Sequence, residues 1–253
     1  MRRMDDQPPI PPEQAIAALQ AELAALRAEM QEFAGTVSHD LRAPLRHITS
    51  YAQLVQEDAG EQLDPEVQGF LSTIVDSARH MGALLDGLSQ LSRVGVHPVY
   101  LESVALQDLV QTICDRLASQ YPQRVLRWDI ASDLPVVRSD AQLLGQALEQ
   151  VLGNAVKFTA ERTPGVIRVD CVRDGADGST LLQIQDNGAG YNPAQQAKLF
   201  KVFGRLHSAQ QFAGVGMGLV LACKLLQRVG AHIAIEGAVD AGCTVCIGFP
   251  AGA

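Results

Sequence analysis

The chain predicts an all-helical first third followed by a mixed α/β remainder, an α plus α/β fold class, and three observations carry that expectation. Apolar residues recur in heptad steps from Ile16 to Val37. A second heptad run follows the turn-like stretch EDAGEQLDPE, so two long helices form a hairpin. Beyond residue 95 helical and strand-like segments alternate, as they do in a layered α/β domain.

Residues 1–12 are Pro-rich and polar, and a disordered tail is expected there. Residues 13–95 form the helical region. Ile16, Leu19, Leu23, Leu26, Met30, Phe33 and Val37 make a narrow seam, filled out with Ala, Glu, Gln and Arg, which are good helix formers. A seam that narrow needs a partner strand, so a coiled coil is expected. The run continues through Val37, Leu41, Leu45, Ile48, Ala52 and Val55. Asp64 then offers an N-cap and Pro65 a first helical residue. The second seam is Val67, Leu71, Ile74, Ala78, Met81, Leu85 and Leu88. One hairpin leaves much of such a stripe wet, and two hairpins bury it as a dimeric four-helix bundle. A homodimer is therefore expected; the alternative is a hairpin packed on the rest of its own chain.

SRVGVHPVY, with Gly95 and Pro98, reads as a linker. Residues 96–250 form the α/β domain. VALQDLVQTICDRLAS is helical, RVLRWDI strand-like and AQLLGQALEQVLGNAVKF helical. GVIRVDCVRD and TLLQIQD are strands around the turn GADGS. The helical run GLVLACKLLQRVG and the strands AHIAIEG and CTVCIGF complete the domain.

The 253 residues, 47% hydrophobic, suffice for one large or two modest cores. A net charge of −8 argues against a nucleic-acid partner. No apolar run approaches the roughly 20 residues of a membrane span, and MRRMDDQPPIPP lacks the apolar core of a signal peptide. A cytoplasmic location is expected. Cys243 and Cys246 form a C-x-x-C without a second pair, in a strand-like run where residues three apart face opposite sides. Structural thiols suit that context better than zinc or redox chemistry.

Four constellations carry chemistry. In FAGTVSHDLRAPLRHI, His39 lies about 200° around the helix from Val37 and so points off the seam. Asp40 can hold one ring nitrogen and leave the other as a nucleophile. Pro44 removes a helical hydrogen bond and should bend the helix beyond the site. In QALEQVLGNAVKFT, the stripe of Leu144, Leu148, Val151, Ala155 and Phe158 is expected to be buried. Gln150, Asn154 and Lys157 lie on a neighbouring polar face, where an amide oxygen and an ammonium could hold Mg²⁺ and a phosphate. In QDNGAG, Asp186 could accept from an adenine-type amino group while Gly188 and Gly190 let backbone approach a ligand. GVGMGL opens a helical run, where backbone N–H groups could cradle a phosphate.

In this order the constellations resemble a sensor histidine kinase of two-component signalling. SHDLRAPL resembles its phosphoacceptor box, QVLGNAVKFT the N box and DNGAG the first glycine box. LFKVFGRLH is similar to the phenylalanine box and GVGMGL to the second glycine box, and FGRLH is most similar to the phytochrome-type subgroup. The resemblance covers residues 33–250. It implies an ATP-binding α/β sandwich of the histidine kinase/Hsp90-like type behind the helical hairpin. It implies that His39 is phosphorylated with Asp40 as acid/base partner, that Asn154 coordinates Mg²⁺, and that Lys157 contacts phosphate. Asp186 would bind the adenine amino group, Gly188 and Gly190 would shape the pocket, and Gly214, Gly216 and Gly218 would flank a lid. Arg205 would reach the γ-phosphate. ATP and Mg²⁺ are the implied cofactors, and an aspartate on a response-regulator receiver domain is the implied acceptor. The leading heptad resembles a signalling helix driven by an upstream sensor module or a separate sensor chain.

Three positions depart from the family pattern. Gln150 replaces a usual asparagine, Val215 a usual threonine, and Ala43 the Thr or Asn that orients water in phosphatase-competent members. Weak or absent phosphatase activity is expected. A scaffold that binds regulators without phosphorylating itself is the rival class, with Gln150 and Val215 as its support.

Overall fold

A computed structural model describes residues 12–95, 98–173, 179–208 and 211–250. The expected tail therefore lies outside the described residues except for Pro12, and so does the turn GADGS except for Ser179. The chain divides into two compact units, Met1–Ala78 and Arg79–Ala253.

In the first unit, α1 (Pro12–Ala59) continues through Pro44. A 3₁₀ turn, Gly60–Gln62, ends it. The next helix, α2 (Pro65–Arg93), starts as its sequence dictates: Asp64 Oδ1 accepts the Glu66 N–H at 2.8 Å, and Pro65 stands where a missing N–H costs nothing. Ala34, Ser38, Leu45 and Ala52 of α1 and Val75 and Ala78 of α2 are buried. Val37 of α1 and Leu71 of α2 are half-buried, whereas Ile16, Leu19, Leu23, Leu26, Met30, Phe33, Leu41, Ile48 and Val55 on α1, and Val67 and Ile74 on α2, are exposed. Val75, off the expected seam, is buried in place of Ile74.

The second unit carries the α/β domain. Its strands are β1 (Glu102–Ala105), β2 (Leu126–Ile130), β3 (Val136–Ser139), β4 (Gly165–Arg173), β5 (Thr180–Asp186), β6 (His232–Ala238) and β7 (Gly242–Phe249). Its helices are α3 (Leu106–Gln120), α4 (Ala141–Phe158) and α5 (Gly218–Arg228). A five-stranded sheet has the order β2-β4-β5-β7-β6, with β2 parallel to β4 and the other pairs antiparallel. β1 and β3 form a separate antiparallel pair. Leu144, Leu148 and Leu152 of α4 and Leu225 and Leu226 of α5 are buried with Ile167, Leu182, Ile184 and Ile247 of the sheet. Each such side chain contributes about 1.5–3 kcal/mol on leaving water.

α4 and β5 occupy the ranges their patterns predict. The four-residue strands β1 and β3 do not show in the sequence. Val104 and Ala105, expected to begin a helix, instead pair with Val137 and Val136. A strand that short has no full period of alternation to display, and its partner lies 30 residues away.

Candidate functional site

β5 delivers the buried carboxylate. Leu182, Ile184 and Asp186 alternate onto the buried face, so the period that places two apolar residues in the core also carries Asp186 inward at the strand's end. Asp186 Oδ1 accepts the N–H of Gly188 at 2.8 Å and that of Cys243 at 3.3 Å. Burial pushes its carboxyl above the usual aspartate range, against the pull of those two N–H groups. Burial and the Asp186 charge together push the Cys243 thiol up to about 12, so it stays protonated. Cys246 faces the other side of β7, and among the described residues no cluster of His, Cys, Asp or Glu could hold a metal by itself.

α4 supplies the opposite wall. Asp140 caps it by accepting the Leu143 N–H at 3.0 Å. Its buried stripe includes Leu144, Leu148, Val151 and Ala155, but Phe158 is only half-buried and faces a cavity. That cavity, about 510 Å³, is lined by Gln150, Asn154 and Lys157 from the polar stripe, by Asp186 and Gly190, and by Arg205, Gly214, Gly216 and Gly218. Its size lies in the roughly 300–1,000 Å³ range of small-molecule sites. The last turns of α2 contribute Asp86, Gly87 and Gln90. Every second-unit residue singled out from the sequence except Gly188 thus lines one cavity, and Gly188 donates to the Asp186 carboxylate beneath it.

Two of the glycines are also hemmed in by the protein's own backbone. A side chain on Gly188 would meet the Phe158 carbonyl oxygen at 2.5 Å, and one on Gly190 (φ +60°) would overlap the Ala238 carbonyl. What approaches closely here is neighbouring backbone, which presses the QDNGAG loop between the end of α4 and the β6–β7 turn. The Ala189 N–H donates to Phe158 O at 3.1 Å and completes that join. Gly218 opens α5 flush against α4, where a Cβ would meet Gln150 Oε1 at 2.8 Å. Gly214 and Gly216 stand before the helix in the left-handed region, at φ +129° and +74°.

Two cations face the same space. Burial, and secondarily the charge of Arg205, lowers Lys157 to about 8. Its ammonium lies 4.3 Å from the centroid of the Phe158 ring. Arg205 donates to the carbonyls of Gly214 and Phe212, so in this structure its guanidinium is engaged with loop backbone. The sequence reading passed over Tyr191, His207, Phe212 and Met217, which also line the cavity. Of these, His207 lies in the motif FGRLH and Met217 in GVGMGL, while Tyr191 and Phe212 lie in neither.

His39 belongs to the first unit. Its Nδ1 lies 3.0 Å from Asp40 Oδ1, and the two side chains are 83% and 70% exposed, while the adjacent Ser38 is buried. The pair therefore stands on the wet face of α1, as the helical angle required.

A fold of this kind, with a helical hairpin bearing an exposed His–Asp pair and an α/β domain holding a cavity between a buried aspartate and an Asn/Lys stripe, defines a two-domain kinase core. Residues 29–95 match the His Kinase A (phospho-acceptor) domain, and residues 139–253 match the histidine kinase-, DNA gyrase B-, and HSP90-like ATPase. The chain belongs to the sensor histidine kinases and carries their catalytic core. It is 30% identical over 230 residues to cyanobacterial phytochrome B of Nostoc sp., covering 90% of this chain and 30% of that protein. It is 31% identical over 235 residues to the circadian input-output histidine kinase CikA of Synechococcus elongatus, covering 89% and 30% respectively. The chain thus spans less than a third of the length of these relatives. Its fold is similar to full-length ShkA in complex with AMPPNP (TM-score 0.61, 24% identity, 88% of this chain and 46% of that one). It is also similar to the histidine kinase AdeS of Acinetobacter baumannii (TM-score 0.57, 18% identity, 84% and 97%). No helix among the described residues is long and apolar enough to cross a membrane.

Proposed function

We propose that this chain is an ATP-dependent protein-histidine kinase that phosphorylates itself on His39 and passes the phosphoryl group to an aspartate of a response-regulator receiver domain. One observation carries the reading. The same chain holds an exposed His–Asp pair and a cavity that places Asn154, Lys157 and a buried Asp186 around one space. Phosphoryl transfer asks mainly for positioning and charge neutralisation, and these groups supply both.

Asp186 would accept from the exocyclic amino group of adenine, and Lys157 would face the phosphates. Arg205 would reach the γ-phosphate after exchanging its loop carbonyls for phosphate oxygens. Mg²⁺ suits Asn154, because that ion is held by few protein ligands together with substrate phosphates, and no acidic cluster is needed. When bound it would neutralise phosphate charge. At His39 the Nδ1 proton is held by Asp40, which leaves the Nε2 lone pair as the nucleophile. Attack on the γ-phosphorus forms the N–P bond, and the bond to the bridging oxygen breaks with its electron pair leaving on ADP. The Nδ1 proton passes through Asp40 to water.

The exposed seams of α1 and α2 support a homodimer, with the leading heptad as a coiled coil receiving a signal from a sensor module or a separate sensor chain. A nucleoside triphosphate substrate suits a cytoplasmic location. Ala43, four residues past His39, offers no group to orient water, so phosphatase activity is weak or absent. Incubation with Mg²⁺ and γ-labelled ATP tests the reading. Acid-labile, alkali-stable label on wild type and none on His39→Gln supports it. Nucleotide binding by a dimer that never takes up label favours the scaffold.

A further inference from the structure

Among the cavity-lining groups to which the proposed chemistry gives no role, His207 has the most connected surroundings. His207 is half-buried, two residues after Arg205. Its Nε2 lies 2.8 Å from the carbonyl oxygen of Gly190, four residues after Asp186. A carbonyl can only accept, so Nε2 carries the proton and donates. The acceptor is a rigid one. Gly190 sits at φ +60°, its Cα face pressed on the Ala238 carbonyl, and the Asp240 N–H holds the adjoining Ala189 carbonyl at 2.8 Å.

The imidazole is also wedged between rings. Its centroid lies 5.5 Å from that of Phe158 and 5.1 Å from that of Phe212, the latter pair edge-on at 70°. Phe158 and Phe212 meet each other at 5.1 Å, so the three rings close a triangle. Phe158 is the ring that carries the Lys157 ammonium, and Phe212 gives its carbonyl to Arg205. One side chain therefore touches the loop of Asp186, the ring under Lys157 and the residue that anchors Arg205.

We propose that His207 is a positioning residue of the nucleotide site, a bridge that holds the segment bearing Arg205 against the loop bearing Asp186. The base-binding and phosphate-binding ends of the cavity then form together rather than separately. This rests on the nucleotide-binding reading above. The bridge contains no ligand atom, so its loss should weaken ground state and transition state alike: affinity falls and the maximal rate holds.

Two variants of the full chain separate the bridge from packing. His207→Phe keeps a ring against Phe158 and Phe212 and removes the donor; His207→Gln keeps an N–H donor and removes the ring. AMPPNP binding is measured by calorimetry, and initial autophosphorylation rates are measured against ATP concentration. The bridge predicts that His207→Phe raises the AMPPNP Kd and the ATP KM about 5- to 10-fold, with the maximal rate within twofold. It also predicts that His207→Gln recovers most of that loss. A His207→Phe Kd within twofold of wild type overturns the bridge. So does a lowered maximal rate at unchanged KM in either variant, or a His207→Gln as weak in binding as His207→Phe. Wild type that fails to bind AMPPNP overturns the nucleotide reading and the bridge with it, an outcome distinct from a variant effect.

Discussion

Asp186 reaches its place through a strand, two N–H bonds and a loop pinched between α4 and the β6–β7 turn, whereas His39 depends on one helix and one neighbouring carboxylate. The first arrangement is complete within its own fold and is expensive to disturb. The second is open to solvent, with the His39 and Asp40 side chains 83% and 70% exposed. On the proposed function, a histidine that meets two partners in turn cannot be enclosed, and a pocket that selects one ligand cannot be left open. The contrast predicts that damage to the second unit appears as lost stability or affinity, and damage to the first as lost association.

The largest expected effect lies at Gly190. Its φ of +60° and the Ala238 carbonyl behind it leave no room for a methyl group. Gly190→Ala should destabilise the second unit by about 3 kcal/mol or more, read as a lowered unfolding midpoint, and remove nucleotide binding. Binding and melting both unchanged would show that the loop is not pinched as described. Next is the seam. Ile48→Asp puts a charge into the stripe that a four-helix bundle would bury, and should weaken dimerisation about 100-fold or more by light scattering or sedimentation. Nucleotide affinity should stay within twofold. If the variant remains dimeric, the exposed stripe is not the dimer interface.

That same contrast governs what could be read in advance. The dense apolar period of α4 and the alternation of β5 were legible because each element satisfies its pattern within its own length. Asn154, Lys157 and Asp186 were legible because they occupy fixed steps on those elements. His207 was not, although it sits in a quoted motif, because its role depends on Gly190 and Phe158, which are distant in sequence. The glycines were visible as a motif, but their contacts with neighbouring backbone were not. Sequence shows that a position needs no side chain, but only the fold shows that the space belongs to the Phe158 and Ala238 carbonyls. β1 and β3 escaped for a related reason, being paired with each other across the intervening α3 and β2.

A smaller effect sharpens the electrostatics of the cavity. Lys157, at about 8, is lowered by burial first and by Arg205 second. A triphosphate favours the charged ammonium, so affinity for AMPPNP should be nearly flat below pH 8 and weaken above it, by at most about tenfold per pH unit. The same group acts oppositely on the unliganded fold. Its folded pKa lies below the unfolded value near 10.5, so the unfolded chain binds more protons between about 8 and 10.5, and this group makes stability rise with pH there. Lys157→Met should remove both slopes. A pH profile unchanged in that variant would assign the titration to another group.

The smallest effect concerns the entrance to α4. Asp140 is buried and divides its carboxylate between two segments: Oδ1 accepts from Leu143 in the first turn, and Oδ2 accepts the Tyr100 N–H at 2.9 Å. Burial raises its pKa, but the backbone N–H groups of Leu143, Tyr100 and Gln142 and the charge of Arg228 together outweigh that, and the net shift is downward. An aspartate lowered in the folded state stabilises above its unfolded pKa, near 3.8, and loses that contribution as pH falls through the folded value. Asp140→Ala should therefore cost roughly 1–2 kcal/mol at neutral pH, with the penalty vanishing in acid. Asp140→Asn keeps the oxygen that caps Leu143 and should recover at least half of it. A penalty that persists unchanged at pH 2 would mean that the carboxylate packs rather than accepts. If Asp140→Asn proves as damaging as alanine, the charge beside Arg228 matters more than the cap.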